Sequence, residues 1–189
     1  MYRLALFASG SGTNVQNICE YFKNHSSINP KLIYSDRKDA HVLERASNLG
    51  IQSEYFNYNS TPASKLINSL HANKISHIIL AGYLRLIPNE IIKAFPNKIL
   101  NIHPALLPKF GGKGYYGDYV HKSVIDSKEK KSGITIHLVN EKYDEGRILF
   151  QKSIAVMSDD DVASLSSRIH QLEYKYYPQI IEKYLLNQL

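Results

Sequence analysis

Near its N-terminus the chain passes from a short apolar run into a glycine-rich turn and then into helical spacing. Tyr2 to Ala8 is apolar apart from Arg3, the turn reads Ser9-Gly10-Ser11-Gly12-Thr13-Asn14, and Val15, Ile18, Cys19 and Phe22 follow at helix period. Strand, glycine-rich turn, helix is the order. Lys31 to Tyr34 reads as a second strand, and Leu43, Ala46 and Leu49 mark a helix stopped by Gly50. Weaker signals follow over Ser53 to Phe56 and Ala63 to Leu70. His77 to Ala81 and Ile99 to Ile102 are short apolar runs suited to buried parallel strands, with a helix opened by Pro88 between them. The alternation predicts a βαβ series and a doubly wound, Rossmann-like α/β fold with a mostly parallel sheet.

The second half changes character. Lys109 to Gly117 carries too many glycines for regular structure and reads as a surface loop, followed by a helix over Asp118 to Asp126. Ile134 to Val139 and Ile148 to Val156 read as two additional C-terminal strands. Ser158-Asp159-Asp160-Asp161 resembles a capping box opening a long C-terminal helix, with Val162, Leu165, Ile169, Leu172 and Tyr176 as its buried stripe and Pro178 as a kink. At 189 residues, one domain over 1–189 is expected, since a single core serves up to about 250 residues.

Composition narrows the function classes. The single Cys19 excludes an internal disulfide and a cysteine metal cluster. A net charge of +6 favours anionic partners, and the one dense basic run, Lys128-Glu129-Lys130-Lys131, reads as a solvated loop and not as a nucleic-acid surface. No apolar stretch approaches the roughly 18 residues of a membrane span. The N-terminus meets its glycine turn too soon for a signal peptide, so a cytoplasmic location is expected.

Three groups of residues carry chemistry. The Ser9 to Asn14 turn brings glycines, hydroxyls and a helix N-terminus together, as a phosphate site requires. Gly10-x-Gly12 lacks the third glycine of a dinucleotide fingerprint, Val15 standing in its place, although Asp36 follows the second strand; a tight turn without a ligand is the alternative. Asn101 and His103 lie two apart at the end of an apolar strand, where both side chains converge on one side and form a plausible oxyanion site. Asp144 sits in Tyr143-Asp144-Glu145-Gly146 between the late strands. It is placed either to orient or charge a histidine or to serve as an ordinary turn aspartate. On the strand before it Thr135 and His137 share one face and Ile134, Ile136 and Leu138 the other. His170 and Glu173 lie near each other at three-residue spacing.

Taken together, the glycine turn, Ala81-Gly82-Tyr83-Leu84-Arg85-Leu86-Ile87, Asn101-Ile102-His103-Pro104-Ala105-Leu106-Leu107-Pro108 and Asp144-Glu145-Gly146 resemble the folate-dependent formyltransferases, over nearly the whole chain and in the right order. The glycine-rich first turn resembles the branch acting on glycinamide ribonucleotide. The resemblance implies formyl transfer from 10-formyltetrahydrofolate, as co-substrate, to the glycinamide amine in de novo purine synthesis, with no metal. It implies a catalytic trio of Asn101, His103 and Asp144, and ribonucleotide binding by Gly12, Thr13, Asn14 and Glu173. It further implies a folate pocket formed by Leu84, Arg85, Leu86 and Ile87 with Asn101 and the loop Asn140, Glu141, Lys142, Tyr143 and Asp144, and a cis Leu107-Pro108 bond. The implied partners are small molecules alone, with no nucleic acid or membrane, and a monomer or weak homodimer is expected. The stretch Asn57 to Ala63 is shorter than in the enterobacterial form, and an arginine that contacts the folate there has no clear equivalent. Two other readings compete: a formyltransferase acting on an amino-sugar nucleotide, and a dinucleotide-binding oxidoreductase or nucleotide-binding module. The latter would use the first turn and Asp36 and leave Asn101, His103 and Asp144 without a purpose.

Overall fold

The computed structural model describes residues 1–189. The elements run β1 (Tyr2–Phe7), α1 (Thr13–Tyr21), β2 (Ile28–Ser35), α2 (His41–Asn48), β3 (Gln52–Tyr55), α3 (Ala63–Ala72), β4 (His77–Leu80), α4 (Asn89–Ala94), β5 (Ile99–His103), α5 (Asp118–Asp126), β6 (Lys131–Leu138), β7 (Ile148–Ala155) and α6 (Val162–Leu185). The strands hydrogen-bond in the order β3-β2-β1-β4-β5-β6-β7. This is the mostly parallel, doubly wound sheet that the alternation predicts, extended by C-terminal strands and a long C-terminal helix. The chain divides into two compact units, Met1–Leu100 and Asn101–Leu189.

In the first unit β1 pairs in parallel with β2 on one side and β4 on the other, so the strand order reverses there. Leu4, Ala5, Leu6 and Phe7 are all buried, as befits a strand covered on both faces. Phe7, Tyr34, Phe56 and Tyr83 pack edge-on or tilted around one another as an aromatic centre of this core. The open ends of β1 and β4 are tied together: Ser9 N–H donates to the Gly82 carbonyl at 2.9 Å, and Leu84 N–H donates to Ser9 Oγ at 3.0 Å. The glycine turn and the Leu84–Ile87 segment therefore share an anchor at the switch point, where ligands bind in open α/β sheets.

In the second unit β6 is buried from Ser132 to Leu138 and pairs antiparallel with β7, an edge strand that is largely exposed. The α6 helix is capped at Asp161, whose carboxylate accepts from Ser164 N–H while the Ser164 hydroxyl accepts from Asp161 N–H. The capping box thus starts at Asp161, not Ser158, because Asp160 is drawn off to Arg168 and the Met157 N–H. The helix runs unbroken through Pro178. Its buried column is Leu165, Ile169, Glu173, Tyr177 and Ile181, while Leu172 and Tyr176 are only half-buried. The stripe expected from apolar residues alone drifts because a carboxylate occupies one of the buried positions.

Candidate active site

Alternation on β5 sends Asn101 and His103 to one face, and the same rule on β6 sends Thr135 and His137 to one face. Here these polar faces meet. Asn101 Nδ2 lies 3.1 Å from His137 Nε2 and 3.5 Å from Asp144 Oδ1. Asp144 Oδ2 lies 3.5 Å from His103 Nδ1, and Asp144 Oδ1 lies 3.5 Å from His137 Nε2. Asp144 adopts a left-handed conformation, φ 56°, at the tip of its turn, which points its carboxylate between the two imidazoles. It is therefore more than a turn residue: its side chain is 11% exposed and joins all three partners.

The glycine-rich loop closes on this group from the other side. His103 Nε2 donates to the Phe110 carbonyl at 2.7 Å, and Gly112 N–H donates to Asp144 Oδ2 at 2.9 Å. A Cβ at Gly111 would sit 2.4 Å from Leu107 Cδ2 and 3.3 Å from Asp144 Cβ, so any larger residue there would push the Leu107 side chain aside. Thr135, fully buried, ties down the chain beyond β5: its hydroxyl donates to the Ala105 carbonyl at 2.7 Å and accepts from Leu107 N–H at 3.0 Å. Gln151 adds a bond to the Leu107 carbonyl at 3.0 Å. The Leu107-Pro108 peptide bond is cis, as the resemblance implies.

The electrostatics follow from this geometry. Burial pushes His103 below the ordinary histidine value, and the Asp144 carboxylate and the Phe110 carbonyl pull against that shift. Its two ring nitrogens face two acceptors, an arrangement that only the imidazolium satisfies at both, yet desolvation of the cation is the larger effect. Burial alone would raise Asp144; hydrogen bonding to His137, the nearby His103 and the Gly112 N–H outweigh it and hold the carboxylate below its usual range. His137 Nδ1 donates to the Leu138 carbonyl at 2.9 Å, and its Nε2 lies 3.1 Å from Asn101 Nδ2 and 3.5 Å from Asp144 Oδ1.

Glu173 belongs to the same unit, buried in α6 with Oε2 at 2.8 Å from His170 Nδ1. The other candidates lie in the first unit. Gly12, φ 74°, precedes α1, whose N-terminus has no side-chain cap, and a Cβ at Gly12 would meet Val42 Cγ2 at 2.4 Å. The glycine therefore serves the packing of α1 on α2 as well as any anion. Thr13 and Asn14 open α1. Leu84 is exposed and Ile87 buried. Tyr58 Oη donates to the Leu86 carbonyl at 3.2 Å, and its ring lies under the Arg85 guanidinium at 5.4 Å. Arg85 Nε also reaches Asp36 Oδ2 at 3.2 Å, so Asp36 is a buried partner of an arginine and not the open ribose acceptor that a dinucleotide site needs. In the loop Asn140 to Asp144, Lys142 N–H donates to Asn140 Oδ1 at 3.1 Å and Lys142 pairs with Glu145 at 3.1 Å, while Glu141 and Tyr143 are exposed.

His137 lies on the polar strand face that the sequence pattern predicts, and its place in the site emerges only in the fold. The alternation with Ile134, Ile136 and Leu138 was the available signal. The Phe110 carbonyl and Gly112 N–H, being backbone groups, left no trace in residue type. No helix is long and apolar enough to cross a membrane.

The formyl transferase family model matches residues 2–181. A Bacillus subtilis protein named phosphoribosylglycinamide formyltransferase is 37% identical over 191 residues, covering 98% of this chain and 95% of that protein. An Arabidopsis thaliana protein named as the chloroplastic phosphoribosylglycinamide formyltransferase is 42% identical over 187 residues, covering 95% of this chain. The chain spans 64% of that plant relative's length. Among solved structures, glycinamide ribonucleotide transformylase 1 from Symbiobacterium toebii superposes with a TM-score of 0.88 at 35% identity, covering 96% of this chain and 86% of that one. With the family model matching nearly end to end and the trio assembled at the end of β5, the chain belongs to the formyl transferase family.

Proposed function

We propose that this chain transfers the formyl group of 10-formyltetrahydrofolate to the amine of glycinamide ribonucleotide, a step of purine biosynthesis, and that residues 1–189 act as one formyltransferase domain. The observation that carries this reading is the Asn101, His103 and Asp144 cluster at the end of β5. The Bacillus subtilis relative, matched over nearly its whole length, supports the choice of substrate.

In the chemistry, the amine nitrogen attacks the formyl carbon and the carbonyl π pair moves onto oxygen. The Asn101 amide and the charged His103 ring stabilise that oxyanion. In this reading the oxyanion replaces the Phe110 carbonyl, 2.7 Å from His103 Nε2, as that nitrogen's acceptor. As the tetrahedral intermediate collapses, the carbon–N10 bond breaks, the folate nitrogen gains a proton and the attacking ammonium loses one. Asp144 favours the imidazolium and helps a water carry that proton. Gly12, Thr13 and Asn14 hold the phosphate at the α1 N-terminus, and Glu173 accepts from the ribose. The family resemblance assigns contacts with the pterin to Leu84 to Ile87 and, separately, to Asn140 to Asp144.

Tetrahydrofolate release, followed spectrophotometrically, is expected only when glycinamide ribonucleotide is present. Equal turnover with an amino-sugar nucleotide would overturn the assignment.

The phosphate site has a separate test. Because a Cβ at Gly12 collides with Val42, a substitution there would disturb packing before it tested charge. Thr13→Asp is cleaner, since an acid in the first turn stabilises a helix by about 0.3 to 1 kcal/mol while it repels a bound phosphate. The variant should melt no lower than the parent chain yet bind glycinamide ribonucleotide at least about tenfold more weakly by calorimetry, since about 1.4 kcal/mol of repulsion suffices. Unchanged affinity would move the phosphate elsewhere.

A further inference from the structure

Glu173 stands in the buried column of α6 between Ile169 and Tyr177, where a carboxylate is costly unless a partner offsets its lost hydration. His170, less than one turn earlier, is that partner: Nδ1 lies 2.8 Å from Glu173 Oε2. The pair is asymmetric, since the His170 side chain is 46% exposed and that of Glu173 only 6%. The His170 ring stacks on Tyr174, with centroids 6.0 Å apart and planes 11° from parallel, which sets its orientation. With Asp118, Ser166 and Ser167 it also lines a cavity of about 510 Å³, so solvent and solutes reach Glu173's partner more readily than Glu173 itself.

The other titratable groups facing the pair are Asp118 and His121 on α5, His103 on β5, which burial pushes below the ordinary histidine value, and Tyr177 on α6, which burial pushes well above the ordinary tyrosine value. Asp118 acts in the same direction as Glu173 on His170. His121 is buried, its Nδ1 has no hydrogen-bond partner, and burial pushes it below the ordinary histidine value, so near neutral pH it adds no competing positive charge.

We propose that His170 is a positioning residue for the ribonucleotide. In its charged form it holds the Glu173 carboxylate aimed to accept from the ribose hydroxyls, so that affinity for the ribonucleotide falls as pH rises. The inference rests on the reading of Glu173 as the ribose-binding carboxylate. The Glu173 hydrogen bond raises His170 above its ordinary value, against the opposing effect of burial. The ion pair is therefore fully formed below about pH 6.5 and is lost as pH climbs through the raised value.

The test uses the full chain and the formylated ribonucleotide product, which has no basic amine to titrate. Calorimetric dissociation constants are compared near pH 6 and near pH 9 for the parent chain, His170→Gln and Glu173→Gln. Glutamine keeps a donor for Glu173 and carries no charge, so it imitates neutral histidine. His170→Gln is expected to bind about fivefold more weakly than the parent near pH 6, the size of a partly exposed charged hydrogen bond, and to converge with it near pH 9. Taking the ratio of the two chains cancels the titration of the ligand's phosphate. Glu173→Gln should weaken binding at both pH values. An equal loss at both pH values in His170→Gln, or none, overturns the role of His170, and weakened Glu173→Gln then leaves the ribose assignment standing. Parent-like affinity in Glu173→Gln overturns both.

Discussion

Asp144→Asn is expected to lower turnover by about 10²- to 10⁴-fold, the range of general acid–base assistance, with little change in substrate affinity. Asparagine keeps the shape, and the Gly112 N–H still has an oxygen to donate to. What is lost is the negative charge that opposes the effect of burial on His103. The sign follows directly: without Asp144 the imidazolium loses its proton at lower pH, so the limb of the pH–rate profile that depends on charged His103 moves toward acid. His103→Ala alone should cause a comparable loss. The double variant should lose much less than the product of the two, because groups acting as a unit are not additive. Single-turnover rates across pH for the three variants check this. Strictly multiplicative losses, or a profile unmoved in Asp144→Asn, would reduce Asp144 to a turn residue.

Gly146→Ala is expected to be as damaging by a different route. The loop carrying Asp144 leaves β6 after Leu138 and returns so closely that a Cβ at Gly146 would lie 1.7 Å from the Leu138 carbonyl oxygen and 2.8 Å from its carbon. These are backbone atoms inside the closing pair, Leu138 N–H donating to the Arg147 carbonyl at 2.9 Å, and no rotamer change relieves the clash. Either the pair opens or the loop moves, and each removes Asp144 from between His103 and His137. A loss of about 3 kcal/mol or more belongs to such a backbone collision. Thermal unfolding of Gly146→Ala and Gly10→Ala makes the comparison, because a Cβ at Gly10 meets nothing within 4 Å. Parent-like melting in Gly146→Ala would show that the loop relaxes freely.

Much of the first unit was legible because its signals are local. β1, the glycine turn and α1 can be read from apolar period and two glycines, and the stop at Gly50 appears as a left-handed residue at φ 66°. The weak signals over Ser53 to Phe56 and Ala63 to Leu70 became β3 and α3, short elements whose polar outer faces blur the period. The second unit was harder where packing overrides pattern. Apolar period alone placed Leu172 and Tyr176 in the α6 stripe, whereas the buried column runs through Glu173 and Tyr177. An apolar pattern cannot register a buried carboxylate, which is tolerable only with a partner such as His170 at 2.8 Å.

The amino-acid sequence by itself determined the strand and helix order and the residues able to do chemistry: Asn101 and His103 two apart on a strand, Thr135 and His137 on one face of another, Asp144 in a turn. Those properties depend on periods of two and 3.6 residues and on turn chemistry, which neighbouring residues encode. Tertiary structure alone decided that His137 joins Asn101 across 36 positions of chain and that Asp144 stands between two imidazoles. It also decided that the Phe110 carbonyl occupies His103 Nε2. Strand register, loop closure and burial set those contacts. Each depends on how distant segments pack, and a side chain's protonation follows only from the partners and solvent that such packing leaves it.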